Sequence, residues 1–392
     1  SGCGNSTRGI IYGGSGDNDN FNTIDFITIA SAGNATDFGN TTVNRRSGGA
    51  FASPTRGIVA GGYGSDRLNS IEFITIGSAG NGTDFGDISS SRTGVSGCSS
   101  SVRGVMFGGE VNGTNQNVIE YVTIATTGDA TDFGDLTVAK SDSSGASNSV
   151  RGICAGSSGG ANFNVIDFVT IASTGNATDF GNLIETSYGG LAGCGNETRG
   201  LIGGGNIGSG HTNVIQYVTI ASAGDATDFG NLTAARAMTA SFSSTTRGVW
   251  AGGDPTGASV SNVIDYVTIG SAGNASDFGN LSAARDLTAG ASSNTRGLIC
   301  NGFNGSANLN IIEYVTIANT GNTTDFGDST ISNRARAAVS STVRAVIAGG
   351  INSNDTMDYV TIASTGNATD FGNLTAAKSS MSGASNSHGG LS

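Results

Sequence analysis

The stretch NVIDYVTIGSAGNASDFGNLSAAR, Asn262–Arg285, decides the fold. NVIDYVTI is rich in β-branched and aromatic residues, the composition of a strand. Alternation puts Val263, Val267 and Ile269 on one face and Ile264 with Tyr266 on the other, so both faces are apolar and both must be covered. SAGNA is a turn of residues that tolerate turn backbone, and SDFGNLSAAR is a further extended run. Upstream, RGVWAGG (Arg247–Gly253) reads as a strand closed by glycines; downstream, LTAGASSNT is a run of small residues. Four short β segments in this order predict an antiparallel meander.

The same phrase recurs along the whole chain. The TDFG tetrad, once SDFG, places its aspartate at Asp37, Asp84, Asp132, Asp179, Asp228, Asp277, Asp325 and Asp370, at spacings of 45 to 49 residues. An arginine that opens the second landmark falls at Arg8, Arg56, Arg103, Arg151, Arg199, Arg247, Arg296 and Arg344, every 47 to 49 residues. Such a period means one supersecondary unit per copy, able to bury its apolar faces only against its neighbours. A radial array does this, and the expected fold is all-β: a β-propeller of eight four-stranded blades of about 48 residues. An open β-solenoid is the alternative, disfavoured because solenoid coils are usually shorter. Residues 1–392 are read as a single repeat domain, expected to belong to a longer polypeptide. Ser1–Thr7 reads as the fourth strand of an incomplete copy, Ser382–Ser387 as the same strand after the eighth copy, and His388 occupies the next landmark position.

At 36% hydrophobic and 12% charged, the 392-residue chain is too apolar for a disordered polymer. No run approaches the length of a membrane-spanning helix, so no membrane insertion is expected. A net charge of −12 leaves no phosphate-tracking surface, and nucleic acid is excluded as an expected partner. The five cysteines replace small core residues one at a time in the repeat register, which predicts free buried thiols.

Each copy carries the landmark arginine, the TDFG aspartate and an acid in the second strand of the meander: Asp25, Glu72, Glu120, Asp167, Asp265, Glu313 and Asp358, with Gln216 the exception. Most copies add a base eight residues after the TDFG aspartate: Arg45, Arg92, Lys140, Arg236, Arg285 and Lys378. These groups are expected to pair within a blade rather than to form a ring of metal-binding carboxylates. The glycine of TDFG suits positive φ or close strand approach. The Asn or Asp of the GN/GD turn suits an Asx turn, and its interchange weakens a glycosylation reading.

Catalytic chemistry finds little support. The two histidines, His211 and His388, have no partner set by a motif, no P-loop or GxSxG elbow is present, and no cofactor or metal is expected. Asp17 and Asp19 are a weak calcium-loop candidate.

The copies differ mainly in two places: the loop after the glycine pair (YGSDRL, NIGSGHT, DPTGASVS and so on) and the segment after the base (RRSGGAF, TSYGGLA, RAMTASF). In an up-and-down meander both connections emerge at the same end of the blade. One constant end and one diversified end suit a scaffold that presents a recognition surface. The residues departing from Gly, Ser and Asn there are Arg46, Tyr63, Asp66, Arg67, Tyr188, His211, Asp254 and Arg336, the candidate ligand contacts.

The strand-ending glycine pair, the recurrent aromatic and the four-strand period resemble kelch-type propeller repeats, although of the spaced Tyr and Trp of kelch only Trp250 occurs. The phrase built from NVIDYVTI, the GN turn and TDFGNLTAAR resembles repeats of virion and tail-fibre proteins of tailed phages of marine bacteria, along essentially the whole chain. That resemblance implies an extracellular, non-enzymatic place on a virion surface or appendage. The expected partners are a host cell-surface glycan or protein and other virion or appendage subunits. The alternative function is a structural spacer or decoration module acting through protein contacts.

Overall fold

The computed structural model describes residues 2–5, 7–15, 20–28, 35–147, 150–156, 164–184, 190–196, 198–207, 210–219, 221–351 and 354–374. The chain is an all-β propeller protein of eight four-stranded antiparallel blades, with no helix among the described residues. It divides into two compact units, one holding blades 1–4 and the other blades 5–8.

Blade 6 represents the others. Its strands are Ala240–Ser243, Arg247–Ala251, Val263–Thr268 and Ser276–Asn280, each paired with the next in sequence. The phase differs from the expected one. The small-residue run closes no blade; it opens the next, so LTAGASSNT supplies the first strand of blade 7, Ala289–Ser292. Likewise Gly2–Gly4 is the first strand of blade 1 and pairs with Arg8–Ser15. The cause is steric. First strands of successive blades lie so close that Ser292 Oγ donates to the Ser243 carbonyl at 3.1 Å and Ser340 Oγ to the Ser292 carbonyl at 2.9 Å. Small side chains suit the positions of Ser243, Ser292 and Ser340 that face the neighbouring first strand, while the alternate position also takes Phe51 or Phe242. Ser382–Ser387 and His388 lie outside the described residues.

The core lies between blades, as the two apolar faces of NVIDYVTI require. Ile264 and Tyr266 pack with Val249, Phe278, Val315 and Ile317 against blade 7. Val267 and Ile269, from the opposite face, pack with Trp250 of their own blade and with Leu201 and Phe229 of blade 5. In every blade a bulge interrupts the pairing of the last two strands; in blade 6, Ile264 faces Gly279 and Asp265 faces Asp277, leaving Phe278 as the extra residue. The bulge turns Phe278 inward, where it is 2% exposed.

Candidate recognition face

Most of the recurrent polar residues hold one blade to the next; the TDFG aspartate instead accepts the N–H two residues on in its own strand, as Asp277 does from Gly279 at 2.9 Å. Each described base reaches forward out of its linker to the acid of the following blade: Arg45–Glu72 at 2.6 Å, Lys140–Asp167 at 2.8 Å, Arg236–Asp265 at 2.8 Å and Arg285–Glu313 at 2.5 Å, with Arg92–Glu120 alike. The expected pairing within a blade is therefore corrected to pairing between blades. The acid also accepts a linker N–H from the preceding blade, Thr42 to Glu72 at 2.7 Å and Ser282 to Glu313 at 3.0 Å. Burial pushes the Arg45, Arg92, Arg236 and Arg285 guanidiniums down from their ordinary range, and the partner carboxylate opposes it. Position 187, where blade 4 would carry its base, is serine in the sequence. The acid of blade 5 is correspondingly Gln216, whose Oε1 accepts the Ile184 N–H at 2.6 Å.

Arg336 belongs to this set and not to a ligand surface. In blade 7 the register of the base is taken by Asn333, and Arg336 replaces it. Its guanidinium meets Asp358 at 2.6 Å and donates to the carbonyls of Gly349, Ile347 and Thr356. All three of its guanidinium nitrogens are already donating to these partners, so it has nothing left to offer a ligand. The missing base at 333 was the sequence signal.

The constant end is equally occupied. The landmark arginines lie over the third-strand aromatic of their own blade at 4.1 to 4.7 Å, a cation–π contact. Arg8, Arg56, Arg103, Arg199, Arg247 and Arg296 also donate to an isoleucine carbonyl of the next blade at 2.6 to 2.8 Å. The GN turn, where it is described, caps the exposed edge of the preceding fourth strand: Gly273 N donates to the Phe229 carbonyl at 2.6 Å, and Asn274 Oδ1 accepts the Asn231 N–H at 3.0 Å. Asp129 does the same for Asp87. The turn residue thus needs only a side-chain oxygen for the neighbouring blade, which is why Asn and Asp interchange. It also explains how these sheet edges are covered.

At the other end the linkers and variable loops meet. Residues in the left-handed region two positions after the base form a backbone row, Leu287 N donating to Met238 O at 3.2 Å and Ala335 N to Leu287 O at 3.0 Å. The row fixes the linkers, and the residue after the base bridges to the residue after the glycine pair, as in Arg46 with Tyr63, Ala237 with Asp254 and Asp286 with Phe303.

Two groups of candidate contacts result, one in each unit. In the first unit, the Arg46 guanidinium lies 5.2 Å from the Tyr63 ring centroid, Asp66 Oδ1 accepts the Arg67 N–H, and Arg67 pairs with Glu110 at 2.7 Å. Glu110 was not a sequence candidate. In the second unit, His211 Nε2 lies 3.9 Å from Asp254 Oδ2, while Asp254 Oδ1 accepts the N–H groups of Thr256 and Gly257 at 2.9 and 2.8 Å. Asp286, Thr288, Phe303 and Arg334, also missed, extend this group. Tyr188, Asp17, Asp19 and Lys378 lie outside the described residues.

All five cysteines are free, four of them buried. Burial pushes the Cys98, Cys194 and Cys300 thiols up to about 12, which keeps them protonated and unreactive. Among the described residues no group of three His, Cys, Asp or Glu side chains is arranged to hold a metal ion, and no helix is long and apolar enough to cross a membrane.

No protein-family model matches the chain, and no curated protein matches it. Among solved structures it is similar to that of YjhT, with 12% identity and a TM-score of 0.43 over 70% of this chain and 96% of that one.

Proposed function

We propose that this chain is a non-enzymatic attachment propeller of a virion surface or appendage, binding a host cell-surface glycan or protein through the loop end of its blades. The observation that carries the reading is a division of labour. Repeated polar side chains hold blades together or brace their own strands, whereas Arg46, Tyr63, Asp66, Arg67, His211 and Asp254 sit in loops that differ from copy to copy. Loops positioned by a rigid scaffold are where binding residues concentrate. The phage-repeat resemblance supplies the setting, and the kelch-like resemblance adds only that propellers of this repeat size serve as such scaffolds.

The test is adsorption of the purified chain to candidate marine host cells, with a second protein in which the loops 63–68, 206–212, 254–261 and 303–309 are replaced by Gly/Ser linkers. Saturable adsorption that the loop replacement abolishes, at an unchanged melting temperature, is expected. Absence of adsorption, or equal adsorption by both proteins, overturns the reading in favour of a spacer module.

A further inference from the structure

Buried polar groups in folded proteins find partners, and whole side chains that do not are rare. Around blades 5–7 several occur together. His211 Nδ1 and Nε2, Asp286 Oδ1, Thr288 Oγ1 and Arg334 Nε are all buried without a hydrogen-bond partner. Asp286 is 8% exposed and Asp254 7%. Elsewhere the unpartnered atoms are mostly the Nε of a guanidinium already paired through its other nitrogens, as in Arg45 and Arg236. Here the imidazole of His211 makes no hydrogen bond, and its closest carboxylate oxygen, on Asp254, is beyond hydrogen-bond reach. The corresponding loop of the other unit is different: Arg67 and Glu110 close on each other at 2.7 Å.

We propose that His211, Asp254, Asp286, Thr288 and Arg334 form a saccharide subsite on the loop end of blades 5–7. The inference rests on the attachment reading and names its ligand class. The set of side chains is mixed. Asp286 and Asp254 offer acceptors, Arg334 Nε offers a donor, a neutral imidazole offers one of each, and the Thr288 hydroxyl serves either way. A phosphate or sulfate can only accept and would be repelled by two carboxylates. An ammonium or guanidinium can only donate and would be repelled by Arg334. Neighbouring sugar hydroxyls both donate and accept, and carry no charge. Phe303, half-buried with the Arg334 guanidinium 4.1 Å from its ring centroid, adds an apolar flank for the carbon side of a sugar ring. Burial and the nearby Asp254 charge push the Asp286 carboxyl above its ordinary range, and Arg334 opposes them.

The experiment uses the full chain and three variants, Thr288→Val, Asp286→Asn and Asp286→Ala, the first two nearly isosteric. The probes are an array of bacterial surface oligosaccharides and, in solution, the best array binder. Because the chain has only two histidines, imidazole resonances report the site directly, with His388→Gln assigning them. The expected result is array binding that falls at least tenfold in Thr288→Val and in Asp286→Asn, with melting temperatures no lower than the parent's, and a shift of the His211 signals and not those of His388. Undiminished sugar binding in all variants with His211 unmoved overturns the subsite. Adsorption to cells with no glycan bound and His211 unmoved also overturns it, water alone then satisfying these groups, while the attachment reading stands. Glycan binding at His211 without cell adsorption supports the subsite and sinks the cellular role.

Discussion

The two ends of blade 6 treat polar groups in opposite ways. At its turn end, the Asn274 side chain, the Gly273 and Ala275 N–H groups and the Arg247 guanidinium all have partners in a neighbouring blade. At its loop end, Asp286 and Thr288 follow immediately on the paired Arg285, yet each holds a buried oxygen with no partner. A residue repeated eight times answers a problem posed eight times, and the problem is the blade interface. A residue that occurs once answers something the interface does not ask.

The largest effect should come from breaking a repeated contact. Glu313→Gln leaves the Arg285 guanidinium, 0% exposed, without its counter-charge, and loss of one partner of a buried pair costs about 3–5 kcal/mol. Chemical denaturation should show this loss. Adding Arg285→Ser, which copies the serine and Gln216 arrangement the chain itself uses between copies 4 and 5, should restore most of it. If the single and double variants are equally unstable, the pair is not what couples these blades.

A steric contrast should come next. A Cβ on Gly279, where φ is 146°, would meet the Gly321 backbone of the following blade. Gly279→Ala should cost about 1–3 kcal/mol through overpacking. Gly270, in the turn that follows the third strand of the same blade, faces open space, and a methyl group there would meet no atom within 4 Å. Gly270→Ala should stay within about 0.5 kcal/mol of the parent. Denaturation midpoints of the two variants give the contrast. Smaller still, Asn274→Ala should lose about 1 kcal/mol, the worth of one hydrogen bond, while Asn274→Asp keeps the acceptor and should be close to neutral.

The eightfold count, the four strands and the two-sided burial of NVIDYVTI were all legible, because alternation and period are properties of the chain alone. Partner assignment was not. In a tandem repeat, a base at a fixed offset stands in the same register to its own acid and to the acid of the next copy, so Arg45 gave no reason to prefer Glu72 over Asp25. The defects do carry that information. The missing base is at position 187 in copy 4 and the missing acid at Gln216 in copy 5, an offset that only pairing between blades explains. Blade phase was hidden for the same reason: a run of small residues can end one sheet or begin the next. Of the candidate contacts, His211 and Asp254 stood out as departures from Gly, Ser and Asn. Asp286 and Thr288 did not, since they adjoin a structural arginine and look like its linker.

The smallest predicted effect separates the two ends by pH. A carboxyl whose folded pKa is raised binds its proton more tightly in the folded chain than in the unfolded one, so its contribution to stability is most favourable at low pH and is lost as pH rises through the folded value. Asp286 is shifted in this direction by burial first and by Asp254 second. Asp286→Asn should therefore raise the melting temperature slightly at pH 7, and the gain should shrink once the pH falls below the ordinary aspartate range. Glu313→Gln should lower it at pH 7, because that carboxylate has a buried arginine to answer. Melting curves of both variants from pH 3 to 8 give the comparison directly. If Asp286→Asn destabilises at neutral pH as Glu313→Gln does, Asp286 is another structural acid and the loop end of blade 6 is built like the turn end.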